Sequence, residues 1–301
     1  MGSPASVDEV GAFLRRMFSD PEILPLPGAL RRVLAPAIAA VRTPSAKRRY
    51  ALIGGCSPLP GILQGLRREL QRELNFRVHL GFCYSEPFIH RAVREAAEHA
   101  EELVGIPLYP HYARATSGAC LRRFYTSAGE AGVKARAVER WGSFAPFVDA
   151  LCERLREALE LHPEAAVVFS AHSLPEEQAR ADRYPEQVEE TCRLVAEKAG
   201  VGEWWLGYQS GLRFGRWLKP GVREVLRMLV RRGVRQAVVV PVSFVADNLE
   251  TLYDIDVELS RFGERLGMKV WRCRALNTSP SLVRALAGLA ESYSNSTHIS
   301  G

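Results

Sequence analysis

Two consecutive α/β domains, each a parallel sheet covered by helices, are what this sequence predicts, on three observations. Short apolar runs alternate with amphipathic stretches along the whole chain, the pattern of parallel strands joined by helical crossovers. The alternation is gone through twice, with the join near residue 160. Polar and reactive residues collect just after the apolar runs, at the strand ends where open α/β sheets bind their ligands.

Residues 6–18 place Val7, Val10, Phe13, Leu14 and Met17 at helical spacing, and Ser19-Asp20-Pro21 ends that helix. A second helical stretch passes through Leu30, Val33, Leu34 and Ile38. Tyr50-Ala51-Leu52-Ile53 then leads into a Gly54-Gly55 loop before a helix around 61–74. Val78 to Phe82 reads as a strand, 87–104 as a helix, Ile106 to Leu108 as a strand, 116–132 as a helix, Val133 to Val138 as a strand and 144–161 as a helix. In the second half Ala165 to Phe169, Trp204–Tyr208, Gln236 to Val240 and Lys269 to Arg272 are strands. The stretches 185–199, 220–232, 246–266 and 279–292 are helices. The domains expected are 1–160 and 161–278; the polar tail 294–301 is expected to be disordered.

With 301 residues, 47% hydrophobic and 25% charged, the chain can bury a core without disulfide or metal staples. Its 40 basic and 34 acidic residues leave a net charge of +6, carried by pairs such as Arg67-Arg68, Arg122-Arg123 and Arg231-Arg232 that read as solvated helix faces. So mild an excess predicts no nucleic-acid partner and only weak attraction to anionic ligands or a membrane face. The six cysteines, Cys56, Cys83, Cys120, Cys152, Cys192 and Cys273, form no C-x-x-C pair and match no zinc or iron–sulfur spacing. A secretory segment and an apolar run of about 20 residues are both absent, so a reducing cytoplasm is the expected location.

His172 stands at a strand end, before Ser173-Leu174-Pro175. It is either a histidine satisfying local backbone groups or one placed for proton transfer or metal ligation, and its position leaves both open. Glu250, Asp254 and Glu258 are spaced i, i+4, i+8, which puts three carboxylates on one helix stripe, each neighbouring pair repelling by about 0.2–0.5 kcal/mol. No Lys or Arg stands three or four residues from Asp254. The stripe is either a solvent-facing ladder or a cation-binding one. The apolar neighbours Leu249, Leu252, Tyr253, Ile255 and Val257 favour the second, because buried carboxylates need partners. Asp256 points off the stripe.

In order along the chain come Ser3-Pro4, Phe18-Ser19-Asp20-Pro21, Ile53-Gly54-Gly55-Cys56-Ser57-Pro58-Leu59 and Gly81-Phe82-Cys83-Tyr84-Ser85-Glu86-Pro87. Then follow Tyr109-Pro110-His111-Tyr112, Ser170-Ala171-His172-Ser173-Leu174-Pro175, Gln209-Ser210, Trp217-Leu218 and Asp247-Asn248-Leu249-Glu250-Thr251-Leu252-Tyr253-Asp254-Ile255-Asp256. This series resembles the ferrochelatase family and spans nearly the whole chain to about Leu289. The resemblance implies two Rossmann-like domains with parallel four-stranded sheets, a porphyrin cleft between them, and a final helix, 279–293, packing back on the first domain. It implies insertion of ferrous iron, as a substrate, into a porphyrin in haem biosynthesis. His172 and Glu250 are then the catalytic pair at the ring centre, and His172, Glu250, Asp254 and Glu258 the metal-contacting line leading outward. Ser57, Pro58, Leu59, Tyr84, Tyr112, Trp217 and Phe244 are candidate porphyrin contacts, each with ordinary core packing as the competing reading.

The sequence departs from the family pattern in four places. The family's first apolar strand, before the Gly-Ser-Pro turn, is missing ahead of Met1-Gly2-Ser3-Pro4; a start codon assigned too late is the expected cause, and a poorly stable first domain the expected consequence. Asn248 replaces a frequent histidine, Cys83 a frequent basic residue, and Lys219 a frequent glycine. With no cysteine after Cys273, no iron–sulfur cluster and no cofactor are expected. Glu86-Pro87 and Pro110-His111 resemble the Gram-positive style, whose members use coproporphyrin, so protoporphyrin IX and coproporphyrin III both stand as substrates. A monomer touching a membrane at most peripherally is expected. The competing readings are a chelatase placing cobalt or nickel into another tetrapyrrole, disfavoured because only His172 and His111 are rim histidines, and a non-catalytic porphyrin or haem carrier.

Overall fold

The computed structural model describes residues 1–210 and 215–295. They form two compact units. Unit 1 comprises residues 1–107, 114–139 and the chain from Leu286 on; unit 2 comprises Leu108–Ala113 and Arg140–Ala285.

Unit 1 carries helices α1 (Val10–Phe18), α2 (Gly28–Leu52), α3 (Leu59–Glu73), α4 (Ile89–Ala97) and α5 (Ala119–Ala131), the last entered through a π-helical turn at Arg114–Gly118. Its sheet pairs β1 (Glu102–Gly105) with β2 (Lys134–Ala137) in parallel, Glu102 opposite Lys134 and Gly105 opposite Ala137. Among the described residues two strands pair where three were expected, at 78–82, 106–108 and 133–138. Val78–Phe82 runs without a ladder: the Val78 N–H goes to the Gln71 side chain at 2.9 Å and the Phe82 N–H to the Pro87 carbonyl at 2.7 Å. The helix read over 87–104 stops at Ala97, and the strand read at 106–108 begins earlier, at Glu102; helical and extended spacing overlap in Leu103 and Val104, and no Gly or Pro separates them.

The organising contact of unit 1 is Asp20. Its carboxylate, with no side-chain exposure, meets Arg122 and Arg123 of α5 at 2.8 Å each, the Tyr84 hydroxyl at 2.9 Å and the Glu22 N–H at 2.9 Å. Burial pushes the Asp20 pKa up, but these donors outweigh it and hold it below the ordinary 3.8.

Unit 2 carries α6 (Ala145–Leu161), β3 (Ala166–His172), α7 (Glu176–Ala181), α8 (Tyr184–Ala199), β4 (Trp204–Gln209), α9 (Val222–Arg231), β5 (Gln236–Pro241), a π-helix (Glu250–Leu259), α10 (Ser260–Arg265) and β6 (Lys269–Arg272). Its four strands are parallel in the order β4-β3-β5-β6. Central strands of a sheet covered on both faces read as continuous apolar runs; here Val167, Val168 and Phe169 of β3 and Ala237 to Val240 of β5 are all buried. Val168 and Val239 pack with Leu226, Leu229, Ile255 and Met268 in one cluster. The domain boundary lies near 140 rather than 160: α6 packs on α8 and β5, so the helix assigned to the first domain belongs to unit 2. Helix α7 was not anticipated, and the helix read over 246–266 is three pieces: a loop, the π-helix and α10.

Helix α11 (Pro280–Asn295) sends Ala287 and Ala290 into a unit 1 cluster with Leu74. Gly211 and residues 296–301 of the polar tail lie outside the described residues.

Because the folded pKa of Asp20 is depressed, its contribution is complete above 3.8 and is lost as pH falls below that value. Asp20→Asn should lower stability near neutral pH by about 2–4 kcal/mol, and the gap to wild type should close in acid. Urea midpoints of both proteins measured from neutral pH downward check this; a gap independent of pH would show that the charge of Asp20 is not what holds the cluster.

Candidate active site

The order β4-β3-β5-β6 places β3 between the strand that follows it and the strand after that. The chain thus leaves β3 and β5 in opposite directions, and the crevice at their carboxyl ends is the topological switch point of the sheet. His172 is the last residue of β3; Ser243 and Phe244 follow the last residue of β5.

The His172 peptide is held on both sides. Its N–H donates to Ser243 Oγ at 3.0 Å, and its carbonyl accepts from the Tyr184 hydroxyl at 3.1 Å. Ser243 and Tyr184 thus clamp the peptide from opposite sides. The register produces it: Ser170 of β3 stands opposite Pro241 and accepts from the Val242 N–H at 3.0 Å, so residue 243 arrives beside residue 172. The imidazole lies edge-to-face with Phe244 at 6.1 Å. Among the described residues its Nδ1 makes no hydrogen bond. Burial lowers the His172 pKa below 6.5, opposed by the negative charge of Asp254. The ring is therefore neutral near neutral pH.

Gln209, at the end of β4, joins the neighbouring pieces. Its Oε1 accepts from Ser170 Oγ at 2.5 Å, its carbonyl from the Ser173 N–H at 2.7 Å, and its Nε2 donates to the Glu250 carbonyl at 3.1 Å. The backbone carrying Glu250 is thereby tied to the β3 end that carries His172.

Asn248 and Thr251 exchange reciprocal bonds, each backbone N–H donating to the other's side-chain oxygen at 3.0 Å. This is the geometry of a helix cap, and Asn is among the best capping residues. The amide that stands in place of a histidine is thus occupied in starting the π-helix, a form that recurs at functional sites. Asp247 binds Arg272 at 2.9 Å and Asn277 at 2.8 Å. Asp256, off the stripe, takes two bonds from Arg272 at 2.8 and 2.9 Å.

Along the stripe, Asp254 accepts from Ser210 Oγ and Glu258 pairs with Arg223 of α9 at 3.3 Å. The relief missing from the helix itself comes to Glu258 from another element. Among the described residues no three His, Cys, Asp or Glu side chains are gathered closely enough to hold an ion. His172, Glu250, Asp254 and Glu258 are a row, not a cage.

The candidate porphyrin contacts divide. Tyr84 is fully buried, with its hydroxyl on Asp20, and is corrected to a core residue of unit 1. Ser57 is buried and its Oγ accepts from the Leu59 N–H at 3.3 Å, so it helps start α3; Pro58 is exposed and Leu59 half-buried, also in unit 1. The other three are half-buried in unit 2. Phe244 touches His172. Trp217 lies on a loop pinned to the one after His172, Leu218 N–H to Leu174 carbonyl at 3.1 Å and Glu176 N–H to Arg216 carbonyl at 2.9 Å. The Tyr112 backbone is gripped by Gln187 at 2.8 and 3.3 Å.

His111 is not at the rim. It is buried in unit 2, with Nε2 at 2.9 Å from Thr191 Oγ1. The Thr191 hydroxyl donates to the Gln187 carbonyl at 3.1 Å, so Nε2 carries the hydrogen. Burial lowers the His111 pKa to about 3. A Cβ on Gly142 would stand 2.6 Å from Thr191 Oγ1 and 2.8 Å from the His111 ring, so only glycine permits this packing. Sequence reasoning assigned nothing to Tyr184 or Ser243. Ser243 was within reach as the polar residue two places beyond a buried strand; Tyr184 was not.

Solved structures share this fold. SirB from Bacillus subtilis with Fe3+ matches with a TM-score of 0.62 over 79% of this chain and 91% of that one, at 16% identity. CbiX, the terminal enzyme for biosynthesis of siroheme in denitrifying bacteria, matches at 0.52 over 78% and 93%, at 18% identity. At such identities the likeness is one of fold alone. Sequence carries it further: the family model described as Ferrochelatase matches residues 1–294. The ferrochelatase of Aquifex aeolicus (strain VF5) is 34% identical over 299 residues, 97% of this chain and 96% of that protein. The ferrochelatase of Geotalea uraniireducens (strain Rf4) is 34% identical over 300 residues, 96% and 94%. The chain belongs to the ferrochelatase family.

Two predictions follow from this geometry. Asp254→Asn removes the charge that opposes burial, so His172 should protonate at lower pH than in wild type; an NMR titration of its ring reads the shift, and an unchanged or raised value would refute it. Ser243→Ala and Tyr184→Phe should each lose about 1–2 kcal/mol of stability and lower kcat about tenfold with KM for the porphyrin little changed. Steady-state kinetics beside urea unfolding separate that outcome from a purely structural one, in which activity per folded molecule stays constant.

Proposed function

We propose that this protein inserts ferrous iron into a porphyrin with His172 as the base at the ring centre. The observation that carries the reading is the state of His172: clamped by its peptide, kept neutral by burial, with Nδ1 making no hydrogen bond among the described residues. Insertion exchanges two pyrrole N–H protons for one Fe2+, and a neutral imidazole accepts a proton as the metal enters. Glu250, the first residue of the π-helix and tied through Gln209 to the same strand end, is the partner in proton removal. Asp254 and Glu258 continue the line: oxygen donors suit a hard, hydrated ferrous ion on delivery, and imidazole binds iron readily. Phe244, Trp217, Tyr112, Pro58 and Leu59 are the proposed macrocycle contacts, and Ser57 shapes the loop of the last two.

The substrate is a dicarboxylic or tetracarboxylic porphyrin, protoporphyrin IX or coproporphyrin III. Iron enters as substrate, and no resident cofactor is part of the proposal. No helix among the described residues is long and apolar enough to cross a membrane. A peripheral contact is compatible with α2, which exposes Leu30, Val33 and Val41 beside Arg31, Arg32 and Arg42. A cytoplasmic monomer without a nucleic-acid partner is the working form proposed.

The test is anaerobic absorbance with ferrous iron and either porphyrin, beside folded His172→Ala and Glu250→Gln. His172→Ala should lose at least about 10²-fold in turnover, with Glu250→Gln less affected. The wild-type rate should fall in acid as His172 protonates, at a pH below 6.5. A folded His172→Ala at wild-type rate would remove the base assignment. Tight haem binding without insertion of iron into either porphyrin would make the protein a carrier.

A further inference from the structure

Away from His172, unit 1 holds a second reactive cluster that the metal-insertion chemistry does not use. Cys83, in the loop after the extended run 78–82, and Cys120, at the start of α5, bring their sulfur atoms to 3.1 Å although 37 residues separate them. A disulfide needs about 2.05 Å between sulfurs, so roughly one ångström of approach remains. The backbone on both sides is already fixed. Arg122 and Arg123 of α5 hold Asp20, Tyr84 beside Cys83 bonds the same carboxylate, the Arg123 guanidinium lies 5.1 Å over the Tyr84 ring, and Arg16 donates to the Tyr84 carbonyl at 2.7 Å. Cys83 is buried and Cys120 half-buried.

The two thiols also differ chemically. The sulfurs of Cys83 and Cys120 share a hydrogen bond in which either can donate; this contact and the Met1 ammonium lower the Cys120 pKa to about 6, against burial, which raises it. The same bond, with burial, pushes Cys83 up. A thiolate beside a protonated thiol is the arrangement of a reactive cysteine and its resolving partner. The other cysteines lack it: Cys152, Cys192 and Cys273 are buried and Cys56 is exposed, and among the described residues none of them is hydrogen-bonded to a second cysteine.

We propose that Cys83 and Cys120 are a reversible two-electron oxidation site that hydroperoxides convert to a disulfide. The Cys120 thiolate attacks one oxygen of hydrogen peroxide, the O–O bond breaks, and hydroxide leaves to take up a proton as water, which makes a sulfenic acid at Cys120. The Cys83 sulfur then attacks that sulfur; the S–S bond forms, the S–O bond breaks, and the sulfenic hydroxyl leaves with the Cys83 proton as a second water. Both thiols are oxidised together by two electrons and the peroxide is reduced to two waters. A dithiol reverses the change by exchange.

The full chain carrying Cys56→Ser, which removes the exposed competitor, is treated with an equivalent of hydrogen peroxide, then desalted. The expected result is loss of two titratable thiols, a non-reduced peptide joining Cys83 to Cys120, a melting temperature raised by about 5 °C, and full reversal by dithiothreitol. Adding Cys83→Ser should instead leave a sulfenic acid on Cys120 that dimedone traps. The proposal is overturned if the cross-link joins other cysteines, if Cys120 goes on to the sulfinic acid while Cys83 stays reduced, or if neither thiol reacts before the buried Cys152 and Cys192.

Discussion

The peptide plane of His172 sits between a hydroxyl that accepts its N–H and a hydroxyl that donates to its carbonyl. A histidine at the end of a strand has lost its ladder on one side; unsupported, its backbone would be the loosest part of the sheet rim. Here the two bonds hold the last residue of β3 on the side where its ladder to β5 has ended. Gln209 does the same from β4 and reaches the backbone of Glu250. Two reactive side chains that are distant in sequence thus rest on one bonded frame, and the direction of each is set by main chain that does not need a ligand to order it.

The acidic row obeys a different logic. Its outer member Glu258 is met by a cation, Arg223, and its middle member Asp254 by a neutral hydroxyl, Ser210. The negative charge of Asp254 opposes the effect of burial on the His172 imidazole. Asp247 and Asp256, close in sequence, are taken up by Arg272 and belong to the scaffold. Five carboxylates within twelve residues are sorted by partners, not by their place on the helix.

Much of this was legible in the sequence, and what was not has physical reasons. The apolar runs of β3 and β5 identified central strands because burial on both faces leaves no room for polar residues. His172 and Glu250 could be placed because a strand end and a periodic helix fix position from local spacing. Tyr84 was misread as a ring contact because an aromatic next to polar residues looks the same whether its hydroxyl meets water or a buried Asp20 sixty-four positions away. Arg223 could not be paired with Glu258, nor His111 recognised as interior, because each depends on elements brought together only by the fold. The sheet of unit 1 came out narrower than expected because alternation in Val78–Phe82 reports extended backbone, not a neighbour for it to pair with.

Neither unit is a single stretch of chain, and this bears on how the molecule is made. The cluster around Leu74 is completed by Ala287 and Ala290 of α11, so on the ribosome an early apolar surface waits for a helix more than two hundred residues behind it. At about 5–20 residues per second the delay is on the order of tens of seconds. Unit 2, apart from its short segment Leu108–Ala113, is drawn from one run between Arg140 and Ala285 and is complete sooner after its own synthesis begins. The half of the protein that starts first therefore finishes last, and during that interval Leu70, Leu74 and Val78 form the exposed apolar surface that chaperones would be called on to cover.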